Sequence, residues 1–160
     1  YLFAESLNAA GDRFGMYGFS SKKTNPVRIH TLKEFDEQYD KAIRARIASI
    51  KPGYYTRMGA GIRHASNLLK GQAATQQLLL ILTDGKPNDL DRYEGRYGIE
   101  DTKQAILSAR KLGLKVFCVT VDEKANDYLP NLFGSNNYVL IKKITDLPKM
   151  LPMLYAKLTS

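Results

Sequence analysis

The sequence predicts an α/β fold, with a mostly parallel sheet, helices on both faces and one antiparallel edge strand. Three observations predict it. The run Leu78-Leu79-Leu80-Ile81-Leu82 has no polar alternation, as expected of a strand covered by helices on both sides. Strand-like apolar runs alternate with segments of helical period along the chain, the pattern of right-handed crossovers between parallel strands. The turn-rich polar stretch 20–26 joins two early strand-like segments and allows a hairpin at the sheet edge.

Size and composition set the bounds. With 160 residues the chain is one domain long, and a hydrophobic content of 44% is enough for a core. No apolar run approaches the ~20 residues of a membrane span, and the start carries no signal-peptide pattern. The one cysteine, Cys118, sits in Val116-Phe117-Cys118-Val119 and reads as a buried structural thiol. That usage suits a reducing compartment, most simply the cytoplasm. The net charge of +8 is scattered over pairs such as Lys22–Lys23, Arg44–Arg46 and Arg110–Lys111. No nucleic-acid motif accompanies it, so solvated helix faces and an acidic protein partner are the readings kept.

In order, residues 1–7 read as the tail of a helix stopped by Gly11. The chain therefore opens inside an element, and a segment upstream is expected. Strands are expected near 13–20 and 27–32, antiparallel to each other, with His30 on the surface. Residues 36–50 predict an amphipathic helix, with Tyr39, Ile43 and Ile47 recurring every four residues. Lys51-Pro52-Gly53 ends it, and Tyr54-Tyr55-Thr56-Arg57 is a short loop. A helix over 58–70 turns Ile62, Ala65, Leu68 and Leu69 inward. Its Gly59 and Gly61 lack the partners of a phosphate loop and read as close-packing positions. The strand 78–83 leads into a long polar loop, 85–98, of the length that is usually functional. Helix 99–112, strand 115–121, a short helix 126–133, strand 138–141 and a terminal helix capped by Thr145 or Asp146 complete the chain. The last three strands are expected to be mutually parallel, with Leu78–Leu82 inside the sheet.

Asp84 is the leading candidate site residue. It follows the central strand directly, and Gly85 supplies the exit turn. In open α/β sheets ligands bind at the carboxyl ends of the strands. A cap on its own turn is the plainer role for the same carboxylate. Thr56 lies in another interhelical loop. A hydroxyl and a carboxylate from separate loops can meet around a hard divalent cation, which prefers oxygen ligands. A hydrolase or transferase using Asp84 with Asp89 or Asp91 is the competing class. It lacks a nucleophile elbow, a Cys-His pair or a phosphate loop, and His64 has no obvious partner in the sequence.

At these residues the chain resembles a known family. Leu78–Gly85 (LLLILTDG) with Thr56-Arg57-Met58-Gly59 is similar to a von Willebrand factor A domain. Pro52–Gly59 and the run from Thr83 through Asp89, with Tyr93–Thr102, narrow the resemblance. They look like the C-terminal domain of the nitric-oxide-reductase activation protein family, whose Rubisco-activating relatives share it. The resemblance covers residues 1–160 and implies a metal-ion-dependent adhesion site for Mg²⁺ in the intact domain. Thr56 and Asp84 match its threonine and aspartate ligands. The remaining Asp-x-Ser-x-Ser ligands do not occur in this sequence. They are expected on a first strand before Tyr1, about 20–30 residues of a βα unit. Metal binding by these 160 residues alone is accordingly expected to be weak or absent. That first strand would lie between strands 13–20 and 78–83, leaving a gap closed by direct pairing, filled by another chain or left as a groove. The resemblance also implies a non-enzymatic adaptor for a MoxR-type AAA+ ATPase. Its target would be an enzyme with an acidic contact residue, nitric oxide reductase or Rubisco.

Overall fold

The computed structural model describes residues 2–20, 28–50, 58–74, 76–83, 95–121, 123 and 127–159. Two compact units emerge: residues 1–18, 30–52 and 143–160 in one, 19–29 and 53–142 in the other.

The first unit holds α1 (Leu2–Ala10), α2 (Lys41–Ala48), a 3₁₀ turn (Ile144–Asp146) and α6 (Leu147–Thr159). Gly11, at φ 76°, ends α1 in the left-handed region that suits glycine. The expected helix over 36–50 is shorter than its period suggested. The Asp40 carboxylate accepts the Ile43 N–H at 3.1 Å, which fixes the helix start there. Its inward positions hold: Ile43 and Ile47 pack with Ala4, Leu7 and Phe14. Glu5 accepts from the Tyr39 hydroxyl at 2.9 Å and from Arg44 Nε at 2.7 Å, joining α1 to α2.

Strands β1 (Met16–Ser20) and β2 (Arg28–Lys33) form the antiparallel pair expected of a hairpin, and His30 is exposed as expected. The end of β2 carries a feature the sequence did not announce. Lys33 is only 3% exposed. Its ammonium donates to the Phe14 carbonyl at 2.7 Å and the Glu34 carbonyl at 2.9 Å, and sits 4.5 Å from the Phe14 ring centroid. Burial lowers its pKa from the usual lysine range, while Glu37 and Asp36 pull it back up. Lys33→Met keeps the stem but leaves the Phe14 carbonyl unpaired. We expect a loss of about 2 kcal/mol in urea unfolding, the scale for a buried acceptor stripped of a charged donor.

The second unit contains β3 (Leu78–Thr83), β4 (Lys115–Thr120) and β5 (Tyr138–Leu140) in the order β3-β4-β5, all parallel as predicted. Helices α3 (Met58–Lys70), α4 (Gly95–Lys111) and α5 (Leu129–Phe133) belong with them. Helix α3 has the expected bounds. Helix α4 starts at Gly95, earlier than the expected Ile99. The core gathers Met58, Ile62, Ile81, Ile106, Cys118, Leu129 and Phe133. Burial pushes the Cys118 thiol up to about 12, in keeping with an inert structural thiol.

One expectation needs correction. The unbroken apolar run predicts Leu78–Leu82 in the sheet interior and fully buried. Instead, β3 stands at the edge of its sheet among the described residues. Only Ile81 is buried, and Leu82 is 48% exposed. The physical reason is the open side of β3, where no described strand covers its backbone or its outward side chains. Among the described residues β1 and β3 are not paired but belong to separate sheets. No helix among the described residues is long and apolar enough to cross a membrane.

Candidate functional site

The site is built on the carboxyl edge of the parallel sheet. The register pairs Thr83 of β3 with Thr120 of β4, so these strands end level. The Ile141 N–H donates to the Thr120 carbonyl at 2.8 Å, and Thr120 is buried. These bonds fix the backbone of the edge up to Thr83, the residue before Asp84. Asp84 itself, Thr56, and the alternative pair Asp89 and Asp91 lie outside the described residues. Their convergence on one point remains an expectation of the resemblance. Among the described residues no group of three His, Cys, Asp or Glu could hold a metal ion. As donors, a hydroxyl and a carboxylate suit a hard cation such as Mg²⁺, but two oxygens leave most of its shell to other ligands.

The described residues do define the supports on either side. Helix α3 begins two residues after Thr56, and its first turns bury Met58, Gly59, Gly61 and Ile62, with Ser66 buried further along. Gly61 earns its place through close approach. A Cβ there would stand 2.8 Å from Cγ of Phe19 and 3.0 Å from both Cδ atoms. The clash falls on the root of the ring, which cannot swing aside cheaply. Gly61→Ala would add about 1 kcal/mol of helix propensity against an overpacking cost of about 1–3 kcal/mol. We expect a net destabilisation of about 1 kcal/mol, read as a lower urea midpoint, with Phe19→Leu in the same chain relieving it. At the other end of α3, Gln77 Nε2 donates to the Leu69 and Gln72 carbonyls, both at 2.8 Å, tying the turn that leads into β3.

Helix α4 begins eleven residues after Asp84 in the sequence. Ala105, Ile106 and Ala109 face the core, and Thr102 Oγ1 donates to the Gly98 carbonyl at 2.8 Å. Arg63 of α3 reaches Asp101 of α4: Nη2 lies 2.6 Å from Oδ1 and 3.2 Å from the backbone carbonyl. Sequence reasoning missed this pair, because the partners are 38 residues apart and each reads as a surface charge. His64 is exposed on α3, in keeping with a surface residue.

A parallel edge followed directly by candidate oxygen ligands defines the class of ligand-binding α/β domains. Residues 2–152 match the von Willebrand factor type A domain, and the chain belongs to that family. It is 56% identical over 142 residues to Protein NorD of Stutzerimonas stutzeri, covering 89% of this chain and 23% of that protein. Protein NorD of Brucella melitensis biotype 1 is 46% identical over 157 residues, 98% of this chain and 25% of that protein. An uncharacterised protein of Pseudomonas aeruginosa is 55% identical over 157 residues, 98% of this chain and 26% of that protein. The chain thus spans about a quarter of the length of the curated relatives it matches.

Proposed function

We propose that this domain is the non-enzymatic target-recognition module of a nitric oxide reductase activation protein. In this role it serves as adaptor for a MoxR-type AAA+ ATPase. The observation that carries the reading is the similarity to proteins named NorD over nearly the whole chain. It joins the Thr-Asp-Gly run at the end of β3. Recognition would use a metal-ion-dependent adhesion site with Thr56 and Asp84 as two of its ligands. When bound, Mg²⁺ would offer positive charge and an open coordination position to a carboxylate of the target. Asp84 would supply the negative ligand from the end of a strand, and Thr56 a neutral hydroxyl. The surrounding protein is basic, with a net charge of +8, which favours encounter with an acidic target surface. ATP hydrolysis would belong to the partner, and the complex would work in the cytoplasm.

Rubisco is the alternative target within the same family. Disrupting the gene in its own organism separates the two. Loss of nitric oxide reductase activity with Rubisco unaffected is the expected result. Loss of Rubisco reactivation alone would transfer the role to the alternative, and loss of neither would overturn the activation reading.

A further inference from the structure

The amino edge of the parallel sheet, at the far end of β3 from Thr83, gathers cations without carboxylates. Lys70 is the last residue of α3, Lys111 the last of α4 and Lys115 the first of β4. Hydrogen bonds bring the three to one edge. Gln77 Nε2 donates to the Leu69 carbonyl at 2.8 Å, and the Gln77 carbonyl accepts the Lys115 N–H at 3.0 Å. The Leu114 N–H donates to the Ala109 carbonyl at 3.2 Å, and Gly113, at φ 87°, turns α4 into β4. Helix α3 packs against α4, and packed helices lie about 8–10 Å apart. All three lysines are exposed, and among the described residues none has a carboxylate partner. The stretches 41–83, 102–121 and 128–145, which supply this edge, contain no Asp or Glu. The described carboxylates of this unit, Glu100, Asp101, Glu123 and Asp127, lie near the start of α4 and between the end of β4 and α5.

Cations in the last turn of a helix complement its dipole, which accounts for Lys70 and Lys111. It does not account for Lys115, which opens a strand, or for the missing carboxylates. Arg110, by contrast, is used internally, with Nη2 on the Phe133 carbonyl at 2.5 Å. The turns beside the lysines, at Ala73, Gln76, Gly113 and Asn136, expose no aromatic ring on which a base could stack, and the Tyr138 ring packs against the core. Leu112 is the one large apolar side chain exposed there among the described residues, too little to enter a membrane. Gln76 and Asn136 are exposed amides able to donate to carboxylates. We propose that this edge is a docking surface for an acidic protein segment, contacted by the ammonium groups of Lys70, Lys111 and Lys115. Side chains two residues apart in an extended segment lie about 7 Å apart, a spacing that flexible lysines on neighbouring elements can meet. A partner held here leaves the carboxyl edge free, so the domain can hold two partners at once. The proposal stands whether or not that other edge binds a metal.

The test is fluorescence polarisation of labelled poly-glutamate with the full-length protein at low salt. Wild type is compared with an edge variant combining Lys70→Gln, Lys111→Gln and Lys115→Gln. A control combines Lys41→Gln, Lys143→Gln and Lys149→Gln, which removes the same charge from lysines exposed elsewhere. We expect the edge variant to bind about tenfold more weakly, the scale of three exposed ion pairs together. The control should stay within about twofold of wild type, since salt screens charges beyond the contact. All three should share one urea midpoint, and arginine at the three edge positions should keep the affinity. Equal losses in the edge variant and the control would overturn the proposal, because net charge alone would then govern binding. So would an edge variant that binds like wild type, a midpoint that falls with the affinity, or an arginine variant that loses it. A wild type that takes up no poly-glutamate, or that binds single-stranded DNA of the same charge more tightly, would overturn it as well.

Discussion

Asp84→Ala in the full-length protein is expected to abolish activation of the proposed target and to leave the basal ATP hydrolysis of the proposed AAA+ partner intact. This is the largest functional effect expected from any single residue of the domain. The reasoning begins at the strand. Thr83 is locked to Thr120 by the parallel register, so the residue after it leaves a rigid backbone at the ligand-binding edge. A carboxylate there is the only formal negative charge among the two ligands this chain is proposed to provide. In the proposed role, removing it would weaken the hold on a divalent cation and, with it, the contact to a target carboxylate. In the proposed complex the nucleotide site would belong to the partner, so the change would leave it untouched. Thr56→Ala should act in the same direction and more mildly, since a neutral hydroxyl binds a hard cation less strongly. The measurements are target activity after incubation with the complex and ATP turnover of the ATPase with each variant. Full activation by Asp84→Ala would sink the assigned role.

Phe133→Ala should cost about 3–5 kcal/mol, the largest effect on stability we expect. Phe133 is 0% exposed and ends α5, a five-residue helix too short to persist without its packing. Its ring belongs to the core cluster with Ile106, Ala109, Leu129 and Leu132. Its carbonyl is held from outside by Arg110 Nη2 at 2.5 Å and Asn137 Nδ2 at 2.9 Å, and Gly134 turns the chain away at φ 85°. These backbone ties survive the substitution and keep the site from collapsing to fill the void, which places the cost toward the upper half of the range. Leu107→Ala on α4 is the control. Leu107 is 40% exposed, and a surface truncation of this kind should stay within about 0.5 kcal/mol. Urea unfolding of both variants checks the contrast; similar losses would mean that the core is not centred where these side chains place it.

Much of the fold was legible because its signals were local. The strands at 78–83 and 115–120, the helix at 58–70 and the stop at Gly11 each follow from a run of residues adjacent in sequence. The helix at 41–48 was over-extended because period alone continued past Asp40, and the capping carboxylate won. The burial of β3 was overstated because an apolar run reports what a strand can tolerate, while its exposure depends on which neighbours are present. Lys33 and the Arg63–Asp101 pair were invisible for a related reason. Their meaning depends on partners brought near by tertiary packing, and a lone cation in sequence reads as solvated. The candidate site was legible as chemistry, in Thr56 and Asp84, and its supports became visible only in the packing of α3 against α4.

Capture of the target by the full-length protein, with chelator and with Mg²⁺ restored, tests the central claim most directly. The account predicts that wild type captures the target, that chelator releases it, that Mg²⁺ brings it back, and that Asp84→Ala captures nothing under any of these conditions. Capture by Asp84→Ala equal to wild type, unaffected by chelator, would contradict it and reduce the strand-end carboxylate to a structural remnant.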